Sequence, residues 1–305
     1  MLNGILNVFK PAGITSYGVI REVKKISGQK KIGHIGTLDP MAEGVLPLFL
    51  GKMTKLIPHF NLSDKIYRVD ARFGACSTTL DSEGEITAVA IPDNCTCDVI
   101  STALEEFVGE SEQIPPMYSA VKIKGKKLYE YARKGETVER KSRPIAIHWI
   151  KDVQCHLPDL SFEVHCSKGT YIRTLVSDLG EKVGSGAYMS GLTRTCCGQY
   201  FTTENAINLN NIKNFNKIDL QKNFIEPQWL FTEWHIISVH LPEMITHLSQ
   251  GRSIPVTPDT LCLSEQGKQF SKAVVKDSQD RVIAVGRLEF SQDGHGNFQP
   301  SNVLI

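Results

Sequence analysis

The sequence lacks the usual signatures of a metal staple, a membrane span or a nucleotide site. Its eight cysteines include no C-x-x-C pair, and no histidine stands at the matching spacing, so a zinc site is not expected. Cys196 and Cys197 are adjacent, a poor geometry for a disulfide. Reduced thiols and a cytoplasmic location are therefore expected. The start of the chain has no basic stretch followed by a sustained apolar run, so no leader is expected. No apolar run approaches about 18 residues, so no membrane helix is expected either. G-x-S-x-G is absent. The segment Gly44–Lys52 ends in Gly-Lys like a phosphate loop. However, six residues separate its glycines where four are needed, and Met53 stands where Ser or Thr would meet magnesium. Asp39 has only Glu43 as a close acidic neighbour, which gives no local carboxylate cage for a cation.

Net charge is also scarce. The 34 basic and 33 acidic residues leave +1. That total conceals an uneven distribution. Residues 1–60 hold eight Lys/Arg against three acids, residues 76–113 hold nine acids and no Lys or Arg, and residues 122–143 hold nine Lys/Arg against three acids. Two basic blocks flanking an acidic one read either as solvated faces or, if the basic blocks converge, as a surface for a polyanion. The acidic block is then expected to face away from it.

A chain of 305 residues with 41% hydrophobic content buries a core without staples and fits a large domain followed by a small one. Residues 4–9 read as a strand ended by Lys10-Pro11-Ala12-Gly13. Ser16 is the expected cap of a helix reaching Ile26, with Val19, Ile20, Val23 and Ile26 on one face. Residues 31–44 read as a loop, Val45–Leu50 as a buried strand and Met53–Phe60 as a short helix. Tyr67, Val69, Ala71 and Phe73 alternate with Arg68, Asp70 and Arg72, the pattern of a half-buried strand. Asp98 is the expected cap of a helix carrying Ile100, Leu104 and Phe107. Residues 115–144 are basic, irregular and bounded by prolines. Ile145–Cys155 and Leu160–Cys166 form an expected hairpin, and Thr170–Val183 an expected helix. The polar stretch 204–223 reads as connecting structure. From about residue 235, short strands around a helix near Pro242–Leu248 indicate a small β-rich unit.

The densest backbone punctuation is Gly33-His34-Ile35-Gly36-Thr37-Leu38-Asp39-Pro40-Met41-Ala42-Glu43-Gly44. Three glycines and a proline specify one unusual path, able to aim Asp39 into a cleft. Asp-Pro is also a common turn initiator. A carboxylate working without a metal serves as nucleophile or general base, and either role needs a partner that keeps it ionised and aimed. Arg173, near the start of a helix, is a candidate; its alternative is an exposed helix arginine.

These residues resemble the TruB family of tRNA pseudouridine synthases. The resemblance is carried by the loop just quoted together with Gly44-Val45-Leu46-Pro47, and by Lys10-Pro11, Asp64-Lys65-Ile66-Tyr67, Thr79-Leu80-Asp81-Ser82-Glu83-Gly84, Pro115-Pro116-Met117-Tyr118-Ser119-Ala120, Gly125-Lys126-Lys127-Leu128-Tyr129-Glu130-Tyr131-Ala132-Arg133, Lys168-Gly169-Thr170-Tyr171-Ile172-Arg173 and Leu192-Thr193-Arg194-Thr195. The blocks stand in family order over roughly residues 4–200.

The resemblance implies an α/β fold of the α+β type: a large mixed, mostly antiparallel sheet in a catalytic domain, residues 1–233, with a basic RNA-closing insertion at about 115–144. Residues 234–305 correspond to a PUA-like RNA-binding domain. It implies isomerisation of the T-loop uridine of tRNA, at the position numbered 55, by base flipping and without cofactor or metal. Asp39 is then the catalytic carboxylate, Arg173 its ion-pair partner, and Tyr67 the residue stacked on the base. His34 is expected to enter the vacated stack, and Leu192 to wall the uracil pocket. Lys10, Lys126, Lys127 and Tyr171 join the substrate-binding residues, although loop support suits Lys10 equally well. Asp81 either orders a turn or meets RNA. The expected partner is the tRNA T-arm, met by a monomer with no membrane and no protein partner. Two alternatives are a guide-RNA-dependent synthase acting on ribosomal RNA and a non-catalytic RNA-binding module.

Overall fold

A computed structural model describes residues 2–60, 64–231, 234–257, 261–262, 270–291 and 296–305. Its larger part is a ten-stranded sheet. The main path runs Ile207–Asn208, Gly4–Lys10, Glu43–Leu50, Ala187–Cys197, Lys65–Phe73, Asp159–Cys166, Arg143–His156, Gly109–Gln113, with Ile32–His34 and Phe201–Thr202 pairing off it. Two of its pairings are parallel, Gly4–Lys10 with Ile207–Asn208 and Ala187–Cys197 with Glu43–Leu50; the others are antiparallel. This is the expected mixed, mostly antiparallel sheet. Lys65–Phe73 shows the alternation read from sequence, with Tyr67, Val69, Ala71 and Phe73 buried and Arg68, Asp70 and Arg72 exposed. The helices Ser16–Ser27, Cys97–Glu105 and Ile172–Lys182 lay Val19, Val23, Ile100, Leu104, Leu175 and Leu179 against the sheet.

Several local expectations move. The first helix is capped by Thr15, whose hydroxyl accepts from the Gly18 amide at 2.9 Å; Ser16 is buried and its hydroxyl is engaged by Leu38 instead. The Cys97–Glu105 helix is capped by Thr96, and Asp98 lies in its first turn, where a carboxylate suits the helix dipole. The expected loop at 31–44 contains the strand Ile32–His34, and the expected helix at Met53–Phe60 begins as a 3-10 turn at Gly51. The stretch 204–223 contains two short helices, the second closed by a capping box between Asn216 and Asp219. The expectation of reduced thiols is overturned at Cys97 and Cys155, which form a disulfide across a Cα separation of 5.6 Å. They lie 58 residues apart and meet because the Arg143–His156 strand packs beside the Cys97–Glu105 helix.

A second sheet, ordered Ile254–Val256, Gly296–Val303, Val282–Phe290, Phe270–Lys276, His235–Ser238, Leu261–Cys262, occupies the C-terminal region with the helix Pro242–Ser249. Its first strand begins at His235; residues 232 and 233, at the expected boundary, lie outside the described residues. The two sheets share a seam of Ile5, Phe49, Phe60, Trp234, Val274 and Val285. Among the described residues, no helix is long and apolar enough to cross a membrane.

Candidate active site

The Asp39 loop connects Ile32–His34 to Glu43–Leu50 and is tied on every side. Ser16 Oγ accepts from Leu38 N at 2.9 Å and donates to Leu38 O at 3.0 Å. Gly13 N donates to Pro40 O at 2.8 Å. The Lys10 ammonium, wholly buried, donates to the carbonyls of Ile14 at 2.6 Å, Pro11 at 3.0 Å and Pro40 at 3.2 Å. Arg194, also wholly buried, donates from Nη2 to Gly36 O at 2.9 Å and from Nε to Val45 O at 2.7 Å. Gly44 is obligatory: its φ is +105°, and a Cβ there would sit 2.2 Å from Arg194 O, because the two strands pair backbone to backbone at this point.

Arg173 approaches from the start of the Ile172–Lys182 helix and is buried. Its Nη2 lies 3.0 Å from Asp39 Oδ2, and its Nη1 lies 3.3 Å from Asp81 Oδ2. The same guanidinium donates to Thr79 O at 3.0 Å and Tyr118 O at 2.8 Å. One cation thus serves two carboxylates and two carbonyls from three chain segments. The exposed-helix alternative for Arg173 is excluded by this burial.

Burial lifts the Asp39 carboxyl above its usual range, and Asp81 adds to the rise; Arg173 and Lys10 oppose it. Burial holds Lys10 down to about 8. Tyr67 is pushed up by burial, with the nearby Arg194 guanidinium opposing, so its phenol stays protonated. His34 is lowered, first by burial and then by Arg194, which favours a neutral ring.

Asp39, Tyr67, Arg173, Leu192 and Tyr171 line one cavity of about 290 Å³. Tyr171 is fixed there by Gln113, whose side chain accepts from its amide at 2.7 Å and donates to its carbonyl at 3.0 Å. His34 ends its strand outside that lining, half-buried, with a buried Nδ1 that has no hydrogen-bond partner among the described residues. Lys10 has no exposed surface to offer RNA; its place is beneath the loop. Lys126 and Lys127 lie on a two-rung hairpin, Lys122–Ile123 with Lys126–Lys127, and are not among the residues that line the cavity. Asp81 is buried against Arg173, so one member of the acidic block belongs to the site.

Lys65 and Arg194 also line the cavity and were not singled out from sequence. The signal was present in the period of two: Lys65 shares a strand face with Tyr67, and Arg194 shares one with Leu192.

Comparison with known proteins finds similarity along most of the chain. The family model described as TruB family pseudouridylate synthase (N terminal domain) matches residues 24–172, and that described as tRNA pseudouridylate synthase B C-terminal domain matches residues 173–227. The chain is 38% identical over 306 residues to a tRNA pseudouridine synthase B of Dehalococcoides mccartyi, covering 100% of this chain and 97% of that one. It is 39% identical over 300 residues to the protein of that name from Nitrosococcus oceani, covering 96% of each. Against the one from Clostridium novyi, identity is 47% over 215 residues, 70% of this chain and 74% of that one. Among solved structures, a Cbf5–Nop10–Gar1 complex contains a chain sharing the fold, with TM-score 0.72 and 24% identity over 99% of this chain and 85% of that one.

Proposed function

The chain belongs to the TruB family of pseudouridine synthases, and from that premise we propose that it isomerises the T-loop uridine 55 of tRNA to pseudouridine through Asp39. The observation that carries the reading is the 3.0 Å ion pair between Arg173 and Asp39 at a cavity that also holds Tyr67 and Leu192.

In this reading the N1–C1′ bond breaks, the uracil turns, C5 bonds to C1′, the C5 proton is lost and N1 takes up a proton. Attack on C1′, attack on C6 and proton removal from C2′ all require an ionised Asp39. Burial works against ionisation, and Arg173 with Lys10 works for it. The flipped base stacks on Tyr67, an interaction worth about 1–3 kcal/mol, and rests against Leu192. The Tyr67 phenol, protonated as it stands, assists departure of the C5 proton only as a relay, giving up its own proton as it accepts that one. His34 fills the stack the base has left, offsetting part of the few kcal/mol that flipping costs. Lys126 and Lys127 meet phosphates. The C-terminal sheet acts as a PUA-like RNA-binding domain. The names of the curated relatives favour tRNA over a guide-RNA-dependent substrate.

Incubation of the protein with an unmodified tRNA T-arm stem-loop, chelator present, followed by carbodiimide mapping, tests the proposal. Pseudouridine at the T-loop uridine is expected. Absence of product, with RNA and protein both folded, defeats it.

A further inference from the structure

A second group of chemically able side chains lies outside the Asp39 cavity. Asp64, just before the Lys65–Phe73 strand, meets His165 of the Asp159–Cys166 strand and His148 of Arg143–His156. The register brings them together: His165 pairs with Ile66, two residues after Asp64, on one side and with Trp149, next to His148, on the other. One donor atom from each residue lies within 4.8 Å of the others. His148 Nε2 is 3.0 Å from Asp64 Oδ2, and His165 Nε2 is 3.9 Å from the same oxygen.

We propose that Asp64, His148 and His165 form a binding site for a zinc-class divalent transition-metal ion. With metal–ligand bonds of about 2.0–2.2 Å, neighbouring ligand atoms of a tetrahedral site stand about 3.4 Å apart. The two observed separations bracket that value. Two imidazoles and one carboxylate suit borderline ions better than magnesium or calcium, which favour all-oxygen sets. The three side chains are partly exposed, at 43%, 38% and 28%, so an ion has access from solvent. Asp64 and His165 also line a cavity of about 550 Å³ between the two sheets, which leaves room for the remaining coordination positions.

The ion would tie the entry of the Lys65–Phe73 strand to its two neighbours. Lys65 and Tyr67 line the Asp39 cavity, whereas Asp64 and Ile66 line the other one, so the site is separate from the proposed chemistry. It also stands or falls independently of that proposal. Sequence spacing gave no hint, because the ligands come from two strands and the residue that precedes a third, 101 residues apart at the extremes, Asp64 to His165.

The test is titration of the metal-free full chain with Co²⁺ followed by visible spectroscopy, and with Zn²⁺ followed by thermal melting. Expected are one Co²⁺ equivalent with ligand-field absorption, no thiolate charge-transfer band, and a melting point raised by Zn²⁺. In His148→Ala and His165→Ala, each checked for an intact fold by circular dichroism, affinity should fall roughly tenfold or more, since loss of a direct ligand exceeds loss of an outer-shell partner. No stoichiometric binding, binding undiminished in both variants, or a thiolate band assigning the ion to cysteines overturns the proposal.

Discussion

The Asp39 loop and the basic segment 122–143, which contains the short hairpin, are both rich in polar groups, yet they are built in opposite ways. In the loop, Gly36, Leu38 and Pro40 all have bonded carbonyls, and the supporting Lys10, Arg173 and Arg194 are buried. In the basic segment, seven of the nine basic residues are exposed: Lys122, Lys124, Lys126, Arg133, Lys134, Lys141 and Arg143. Its anchors are few. Leu128 is buried, its amide bonds to Val121 O, and Arg140 Nη1 donates to Pro115 O at 3.1 Å. One region spends its charges on holding a backbone in place. The other leaves most of them exposed to a partner. Mutations should therefore separate the two, with loop variants losing turnover or stability and hairpin variants losing affinity.

The sharpest separation is expected from Asp39→Asn. The amide keeps the shape and can still accept from Arg173, but it supplies neither a nucleophile nor a base. Turnover on T-arm RNA should fall by roughly three orders of magnitude or more, while RNA affinity stays at the wild-type level. Single-turnover assays and filter binding read the two quantities separately. Appreciable turnover by a pure variant removes Asp39 from its role.

Next in size is Arg173→Met. It leaves Asp39 and Asp81 facing each other without their shared cation. Breaking a buried pair in this way costs about 3–5 kcal/mol, measurable by urea denaturation. Loss of the guanidinium also removes the main force lowering the Asp39 pKa. The acid limb of the turnover–pH profile should move to higher pH, because Asp39 then needs a lower proton concentration to ionise. An unmoved acid limb in a folded variant separates Arg173 from the ionisation of Asp39.

Lys10→Met probes the support under the loop through pH. Burial holds the folded-state pKa of Lys10 at about 8, below the usual 10.5. Between those values the unfolded chain binds more protons than the folded one, so folding becomes more favourable as pH rises. Wild type should gain on Lys10→Met as pH rises from about 8 to 10.5, approaching about 3 kcal/mol. Parallel stability–pH curves for the two proteins rule out a buried, titrating Lys10.

The contrast also explains what was legible in the sequence. Period-two burial of Tyr67, Val69, Ala71 and Phe73 is a local pattern, and it was readable. So was the constrained path around Asp39, because glycine and proline act on their own backbone. Thr15 displaced Ser16 as the helix cap for a reason no local rule contains: Ser16 is needed by Leu38, 22 residues away. Asp81 is similar. Its carboxylate accepts from the Glu83 amide, the local turn role, yet its other oxygen reaches Arg173, 92 residues on in sequence. The Cys97–Cys155 bond depends on a helix and strand meeting in space. Family resemblance supplied the Asp39–Arg173 partnership; residue chemistry alone left it open.

The smallest expected effect sits in the hairpin. Lys126 is exposed, and Lys127 has its ammonium 5.3 Å from the Tyr129 ring centre and 3.4 Å from the Tyr129 hydroxyl. Neither charge supports a buried group, so Lys126→Ala and Lys127→Ala should leave stability within about 0.5 kcal/mol of wild type. If each meets one phosphate, removal weakens RNA binding and lowers the slope of log affinity against log salt by about 0.7–0.9. The rate of the bound complex should not change. Because the loss is one of counterion release, it should shrink as salt rises, and wild type and variant should converge at high salt. A variant whose binding slope equals that of wild type places its lysine outside the phosphate contacts, while a variant that slows the bound complex ties the hairpin to the Asp39 loop and dissolves the division between the two regions.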